Sequence, residues 1–321
     1  MADTTRVGAI DCGTNSIRLL VADLDPVAGT LEDVVRRMEI VRLGQGIDRT
    51  GMIAAESMTR TLAMTKEYAA QCRSLGATRV RFVATSASRD ARNAAEFVDG
   101  VRAAFLEQWG DPVDPEVVSG DEEARLSFTG ATGDLVATGV EGPYLVVDLG
   151  GGSTEFVRGT ASVEAERSVD IGCVRMTERH LVSDPPTPGE IAAASRDIDA
   201  AIDEAAEVVP FGGVRALVGL AGTVTTIAAH RLRLRTYDPT AIHLSRAPVS
   251  EALAASDDLL HLIRTERAAL PYMHPGRVDV IGAGALIWSR VIERVAAVAG
   301  IRTVIASEHD ILDGIARSLA E

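Results

Sequence analysis

At 321 residues, 46% of them hydrophobic, the chain has the length and composition of about two globular domains. No apolar run approaches the roughly 18 residues of a membrane helix, and the opening MADTTR lacks the basic and apolar regions of a signal peptide, so the expectation is a cytoplasmic globular protein. The net charge of −14 argues against general nucleic-acid affinity, which depends on basic side chains neutralising phosphates, but leaves room for a polyanion gripped locally by backbone N–H groups, arginines and a divalent cation.

Val7 to Ile10 and Ile17 to Ala22 are apolar runs on either side of a polar turn, Asp11 to Ser16, and read as strand, tight turn, strand. Met58, Leu62, Thr65, Ala69 and Cys72 recur at spacings of four and three, with Gly76 where a C-terminal cap belongs. RVRFVA (79–84) reads as a strand, TSASRDARN (85–93) as a polar loop, and a helix ends near Trp109, which gives an alternating α/β order. In VVSGDEEARLSFTG (117–130), Ser119 followed by Glu122 is a capping box that starts a helix near Gly120.

After a glycine-rich stretch around 130–142, PYLVVDLGGGSTEFVRG (143–159) repeats the opening plan of strand, aspartate, glycine-rich turn and second strand. This is an internal duplication about one domain length apart. Thr187, Pro188 and Glu190 open a long amphipathic helix. The strand RALVGLAG (215–222), further helices to Gly300 and a strand-cap-helix tail follow. The expected domains are 1–127 and 128–306, with the tail 307–321 packing back on the first.

A turn rich in glycine and small polar residues exposes successive N–H groups with little steric cover, as an anion needs. Gly13, Thr14, Asn15 and Ser16 form one such turn, and Gly150, Gly151, Gly152 and Ser153 the other. Either alone could be an ordinary β-turn; the matched pair points to phosphate. No GxxxxGK[ST] occurs and each turn leads into a strand, so neither is a Walker loop. Asp11 and Asp148, at the ends of their strands, suit Mg²⁺ (or Mn²⁺) held through water, and Glu155 can share that metal or water. Lys66 is the only lysine, so cationic contacts must come from arginine. Alternation along the strand does not settle where Arg18 points, and it is left unassigned.

Phosphoanhydride hydrolysis needs an in-line water and a group to deprotonate it. Asp121, Glu122 and Glu123 are the acidic choices. With Ser119 as N-cap, Glu122 turns back to the cap amide and Glu123 is left to point elsewhere, at a helix end that favours carboxylates. Cys12, Cys72 and Cys173 form no CxxC pair and read as buried thiols. The six histidines show no short metal-ligand spacing and read as structural or solvent-facing.

DCGTNSIR (11–18), SGDEEA (119–124), DLGGGSTE (148–155) and GLAGT (219–223), in this order and spacing, resemble the exopolyphosphatase and guanosine pentaphosphate phosphatase (Ppx/GppA) family in its short two-domain form. Thr14 stands where many members have serine, which keeps the hydroxyl. The resemblance implies an α/β, actin-like (ribonuclease H-like) fold of the actin, hexokinase and heat-shock chaperone ATPase superfamily, with an interdomain cleft. It implies Glu123 as catalytic residue, Ser153 and Glu155 lining the site, and Arg89 and Arg277 on substrate phosphates. The implied reaction is Mg²⁺-dependent release of terminal orthophosphate from inorganic polyphosphate or guanosine pentaphosphate, with no nucleic-acid or membrane partner and a homodimer as a candidate assembly. Three rival classes stay open: a non-catalytic polyphosphate or alarmone sensor, which does not need Glu123; an ATP-dependent kinase, in which the SGDEEA helix has no use; and an actin-like filament protein.

Overall fold

The computed structural model describes residues 4–27 and 30–320. The chain forms two compact units, Met1–Gly130 with Ile311–Glu321, and Ala131–Asp310.

The first unit is built from β1 (Thr5–Cys12), β2 (Ser16–Asp25), β3 (Thr30–Ile40), α1 (Ile47–Thr50), α2 (Ala55–Ser74), β4 (Arg79–Ala84), α3 (Ser86–Asp90), α4 (Ala94–Gln108) and β5 (Glu116–Val117). Helix α5 (Gly120–Ala137) then carries the chain out of it. The sheet order is β3-β2-β1-β4-β5, with β1 to β3 an antiparallel meander and β4 and β5 parallel to β1 and β4.

Strand β1 is apolar on both faces because both are covered. Val7 and Ala9 belong to one cluster with Leu126 of α5 and Ile311, Leu312 and Ile315 of the C-terminal helix. Ile10 and Cys12 belong to another with Tyr68 and Ala69 of α2 and Phe97 and Val101 of α4. A central strand buried this way reads as a continuous hydrophobic run. Strand β3, absent from the sequence reading, is an edge strand with charges at much of its length and no fully buried residue, the composition by which edges resist pairing with other chains.

The second unit contains β6 (Tyr144–Leu149), β7 (Thr154–Gly159), β8 (Val163–Val169), α6 (Cys173–Arg179), α7 (Pro188–Val208), β9 (Ala216–Leu220), α8 (Ala221–Arg231), α9 (Pro239–Ile242), β10 (Ser245–Pro248), α10 (Val249–His261), α11 (Arg264–Ala269), α12 (Ile281–Ala299) and β11 (Thr303–Ala306). Helix α13 (Ile311–Arg317) returns to the first unit. The order β10-β11-β9-β6-β7-β8 contains the plan of the first sheet, an antiparallel meander followed by parallel neighbours, with β10 added antiparallel at the edge. Both units therefore have the ribonuclease H-like topology of the actin-like fold.

Two local expectations change. Residues within TSASRDARN form the short helix α3, because Ser88 N and Arg89 N both donate to Thr85 O at 3.0 Å. Its serines and aspartate, which compete for backbone hydrogen bonds, gave it a loop-like composition. Gly130 and Gly133 lie inside α5; the break comes at Gly139, left-handed at φ 71°, whose N–H reaches Val136 O at 3.1 Å while Val140 N reaches Leu135 O at 3.0 Å. At Thr187 the capping box is complete: Glu190 N donates to Thr187 Oγ1, and Glu190 Oε2 accepts from Thr187 N at 2.7 Å. Among the described residues no helix is long and apolar enough to cross a membrane.

Candidate active site

In the first hairpin Gly13 N donates to Ser16 O at 2.9 Å, closing the turn. The carbonyls of the turn are spent on the segment after β3: Asn15 O accepts from Val41 N and Arg42 N at 3.0 and 2.8 Å, and Thr14 O from Gly44 N at 2.9 Å. Among the described residues the N–H groups of Thr14 and Asn15 make no hydrogen bond. Gly44 permits the close approach, since a Cβ there would lie 2.3 Å from Thr14 Cγ2.

The second hairpin repeats this arrangement. Gly150 N donates to Ser153 O at 3.1 Å, Gly150 O accepts from Cys173 N at 3.0 Å, and Gly151 O from Val174 N and Arg175 N at 2.9 and 3.2 Å. Gly152 O accepts from Arg175 Nε at 2.8 Å. The N–H groups of Gly151 and Gly152 make no hydrogen bond among the described residues. Here the bracing glycine is Gly172, where a Cβ would meet Gly151 C and O at 2.4 Å and Gly152 N at 2.5 Å. Each turn thus has bonded carbonyls and unspent amides, the polarity of an anion-binding nest.

Helix α3 joins the first turn to the acidic helix start. Ser86 Oγ lies 2.8 Å from Thr14 Oγ1, both buried. One helical turn on, Arg89 Nη1 donates to Val118 O at 2.9 Å and to Glu123 Oε2 at 3.2 Å. Residues three apart share a helix face, so α3 holds the turn with one residue and Glu123 with the next. Glu123 is 9% exposed.

Glu122 goes elsewhere. Its N–H donates to Ser119 Oγ at 3.2 Å, but its carboxylate faces Arg81 Nη2 at 3.5 Å, so the cap is satisfied in one direction. The expectation that Glu122 folds back on the cap amide is corrected in this respect: Arg81, already paired with Glu116 at 2.7 Å, draws it outward. Glu122 and Glu123 still diverge, one to the flank and one inward.

The metal-ligand expectations divide. Asp11 is buried and accepts from Arg18 at 2.9 Å (Nε) and 2.6 Å (Nη2), so it is not the lone carboxylate expected of a magnesium ligand. Arg18 was missed, although the turn fixes the register: Cys12 pairs with Ile17 and therefore Asp11 with Arg18. The same register in the second hairpin sets Asp148 opposite Glu155. Both are buried, at 6% and 1% exposure, and Glu155 Oε1 accepts from Ser168 Oγ at 2.7 Å. Two carboxylates directly opposite across a pair of strands repel, and a buried pair of this kind fits a hard divalent cation.

Arg277, on a 3-10 turn before α12, donates to Thr226 Oγ1 at 3.2 Å and covers Gly222, where a Cβ would meet its guanidinium at 2.3 Å. Burial pushes the Cys173 thiol up to about 11, against an opposing hydrogen bond with Thr223 and the charge of Arg277. Arg277 therefore stands at the GLAGT turn near the segment that braces the second hairpin. Cys12 is buried, and desolvation and the neighbouring Asp11 raise its thiol, which favours the protonated form.

The Ppx/GppA phosphatase family model matches residues 20–319. The chain belongs to the Ppx/GppA phosphatase family. It is 49% identical to Exopolyphosphatase 2 of Mycobacterium tuberculosis over 318 residues, 98% of this chain and 99% of that one. Among solved structures it is similar to an exopolyphosphatase-like protein (TM-score 0.93, 42% identity, 99% of this chain and 98% of that one). It is also similar to the Ppx/GppA enzyme of Aquifex aeolicus (TM-score 0.79, 29% identity, 98% and 99%). The family assignment agrees with turns whose amides are left unspent, as a phosphate ligand needs.

Proposed function

We propose that the protein is an exopolyphosphatase, releasing orthophosphate from the end of inorganic polyphosphate with Glu123 as general base. The observation that carries this reading is Glu123 itself: a buried carboxylate held by Arg89 through the same short helix that holds the first phosphate turn. The 49% identity to a mycobacterial Exopolyphosphatase 2 supports polyphosphate as substrate. In this reading Glu123 takes a proton from water as the water oxygen bonds to the terminal phosphorus. The bridging P–O bond breaks, orthophosphate leaves, and the remaining chain is one phosphate shorter. The amides of Thr14 and Asn15 and the Arg89 guanidinium supply donors to non-bridging oxygens. In the second unit, Gly151, Gly152 and Arg277 offer a further set of donors. Asp148 and Glu155 are the residues that would hold Mg²⁺ or Mn²⁺, whose contribution when bound is neutralisation of phosphate charge.

Phosphate release from polyphosphate, with no nucleotide added, tests the proposal and separates it from a kinase or a binding-only sensor. Guanosine pentaphosphate run alongside decides whether the same terminal phosphoanhydride is cleaved on a nucleotide. No release from polyphosphate of any chain length would overturn the reading.

A further inference from the structure

Asp134 of α5, His243 just after α9 and His309 just after β11 lie far apart in sequence and converge within the second unit. One ligand atom from each lies within 4.8 Å of the others, and all three residues are half-buried. His309 Nδ1 is 2.5 Å and His243 Nε2 3.5 Å from the same oxygen, Asp134 Oδ2. The two imidazole rings stand 4.4 Å apart between centroids. None of the three belongs to the phosphate chemistry above. The absence of short histidine spacing led to a structural or solvent-facing reading; the fold gathers two of the six from separate segments, which spacing cannot reveal.

Two donors seeking only hydrogen bonds to a carboxylate can spread over its two oxygens. Here both imidazole nitrogens face one oxygen, and the three ligand atoms cluster within 4.8 Å of one another. Two nitrogens and one oxygen form the donor set of a borderline cation such as Zn²⁺ or Co²⁺, with a fourth position for water, whereas Mg²⁺ and Ca²⁺ prefer oxygen alone. Bonds of about 2.0–2.1 Å in a tetrahedral site place ligand atoms about 3.3 Å apart. The His243 separation meets that value, and the His309 contact needs to open by less than an ångström. Ligation through His243 Nε2 moves the ring proton to Nδ1 and gives up a long bond, 3.3 Å, from Glu308 N; the bonds to the ion replace it.

We propose that Asp134, His243 and His309 form a binding site for a zinc-class divalent ion that fastens the C-terminal half of α5 to the segments following α9 and β11. Ligand binding to the folded state alone raises stability, so zinc acts here as a structural clasp.

The test uses the full chain stripped of metal with a chelator and titrated with Co²⁺. One equivalent should develop the visible absorption of four-coordinate cobalt, and one equivalent of Zn²⁺ should bleach it. His243→Ala and His309→Ala should each lose the band and the zinc-induced rise in Tm, while Glu123→Gln and Asp148→Asn keep both. In the wild-type protein, zinc should protect His243 and His309 together from diethylpyrocarbonate, read by mass spectrometry, which requires no variant to fold. No cobalt band in the wild type, a band that survives both histidine substitutions, or one lost in Asp148→Asn would overturn the proposal.

Discussion

Glu122 and Glu123 are neighbours with the same side chain and different surroundings. Glu122 faces Arg81 on the flank, whereas Glu123 is 9% exposed and held by Arg89. Glu123→Gln is expected to keep the fold and lower turnover about 10²- to 10⁴-fold, the contribution of a positioned general base. Glu122→Gln should leave turnover nearly unchanged, because it removes an ion pair at 3.5 Å in a solvent-reached position worth little. Steady-state phosphate release on both variants decides the assignment, and loss in the reverse order would refute it. The sequence led to Glu123 through a cap geometry only half of which forms. The divergence survives because consecutive helical residues point about 100° apart whatever holds the first of them.

At the scale of the element, the two hairpins depend on glycines outside them. At Gly172 the added Cβ would meet backbone of Gly151 and Gly152 at 2.4–2.5 Å, atoms that cannot rotate away. Gly172→Ala should destabilise the protein by about 1–3 kcal/mol, as overpacking does, and weaken phosphate binding by displacing the turn. Gly189, in the first turn of α7, has open space around its Cβ position and no left-handed φ, so Gly189→Ala should stabilise by roughly 0.5–1 kcal/mol. Denaturant midpoints of the pair give opposite shifts if this is right. The α7 cap adds a pH dependence. Glu190 accepts from Thr187, Ser183 and Val182, and these bonds, led by the Thr187 N–H, lower its carboxyl from 4.5 to about 2. A lowered folded value means that its stabilisation is present above about pH 4.5 and lost as the pH falls toward 2. Tm of wild type should therefore fall more steeply across that window than Tm of Glu190→Gln, which keeps the box without the titration; parallel curves would count against it.

On the scale of the whole molecule, the proposed action on a polyanion requires a chain of net charge −14 to supply positive charge locally. In the proposed reading the first unit offers backbone amides and Arg89, the second offers backbone amides and Arg277, and the carboxylate pair Asp148 and Glu155 fits a divalent cation. Activity is expected to require a divalent ion, and Asp148→Asn or Glu155→Gln should raise the concentration that supports half-maximal rate. Asp11→Asn should instead release Arg18 and act on stability, a change of role from the expected metal ligand. Undiminished phosphate release in excess chelator would exclude the metal requirement.

The sequence by itself determined what local chemistry controls: the duplicated strand-turn-strand, because glycine and hydroxyl residues between apolar runs admit few alternatives, and the complete cap at Thr187. It left β3 and α3 unread, since an edge strand exposes its charges and a short helix of serines resembles a loop. Only the tertiary structure decided the pairings across distance. Arg18 pairs with Asp11, Asp148 faces Glu155 through register, Gly44 and Gly172 brace turns from separate segments, and two histidines meet Asp134 from three parts of the chain. These depend on which backbones come within a few ångströms, and that is set by burying both faces of two sheets, a condition the whole chain satisfies at once and no short window of it contains.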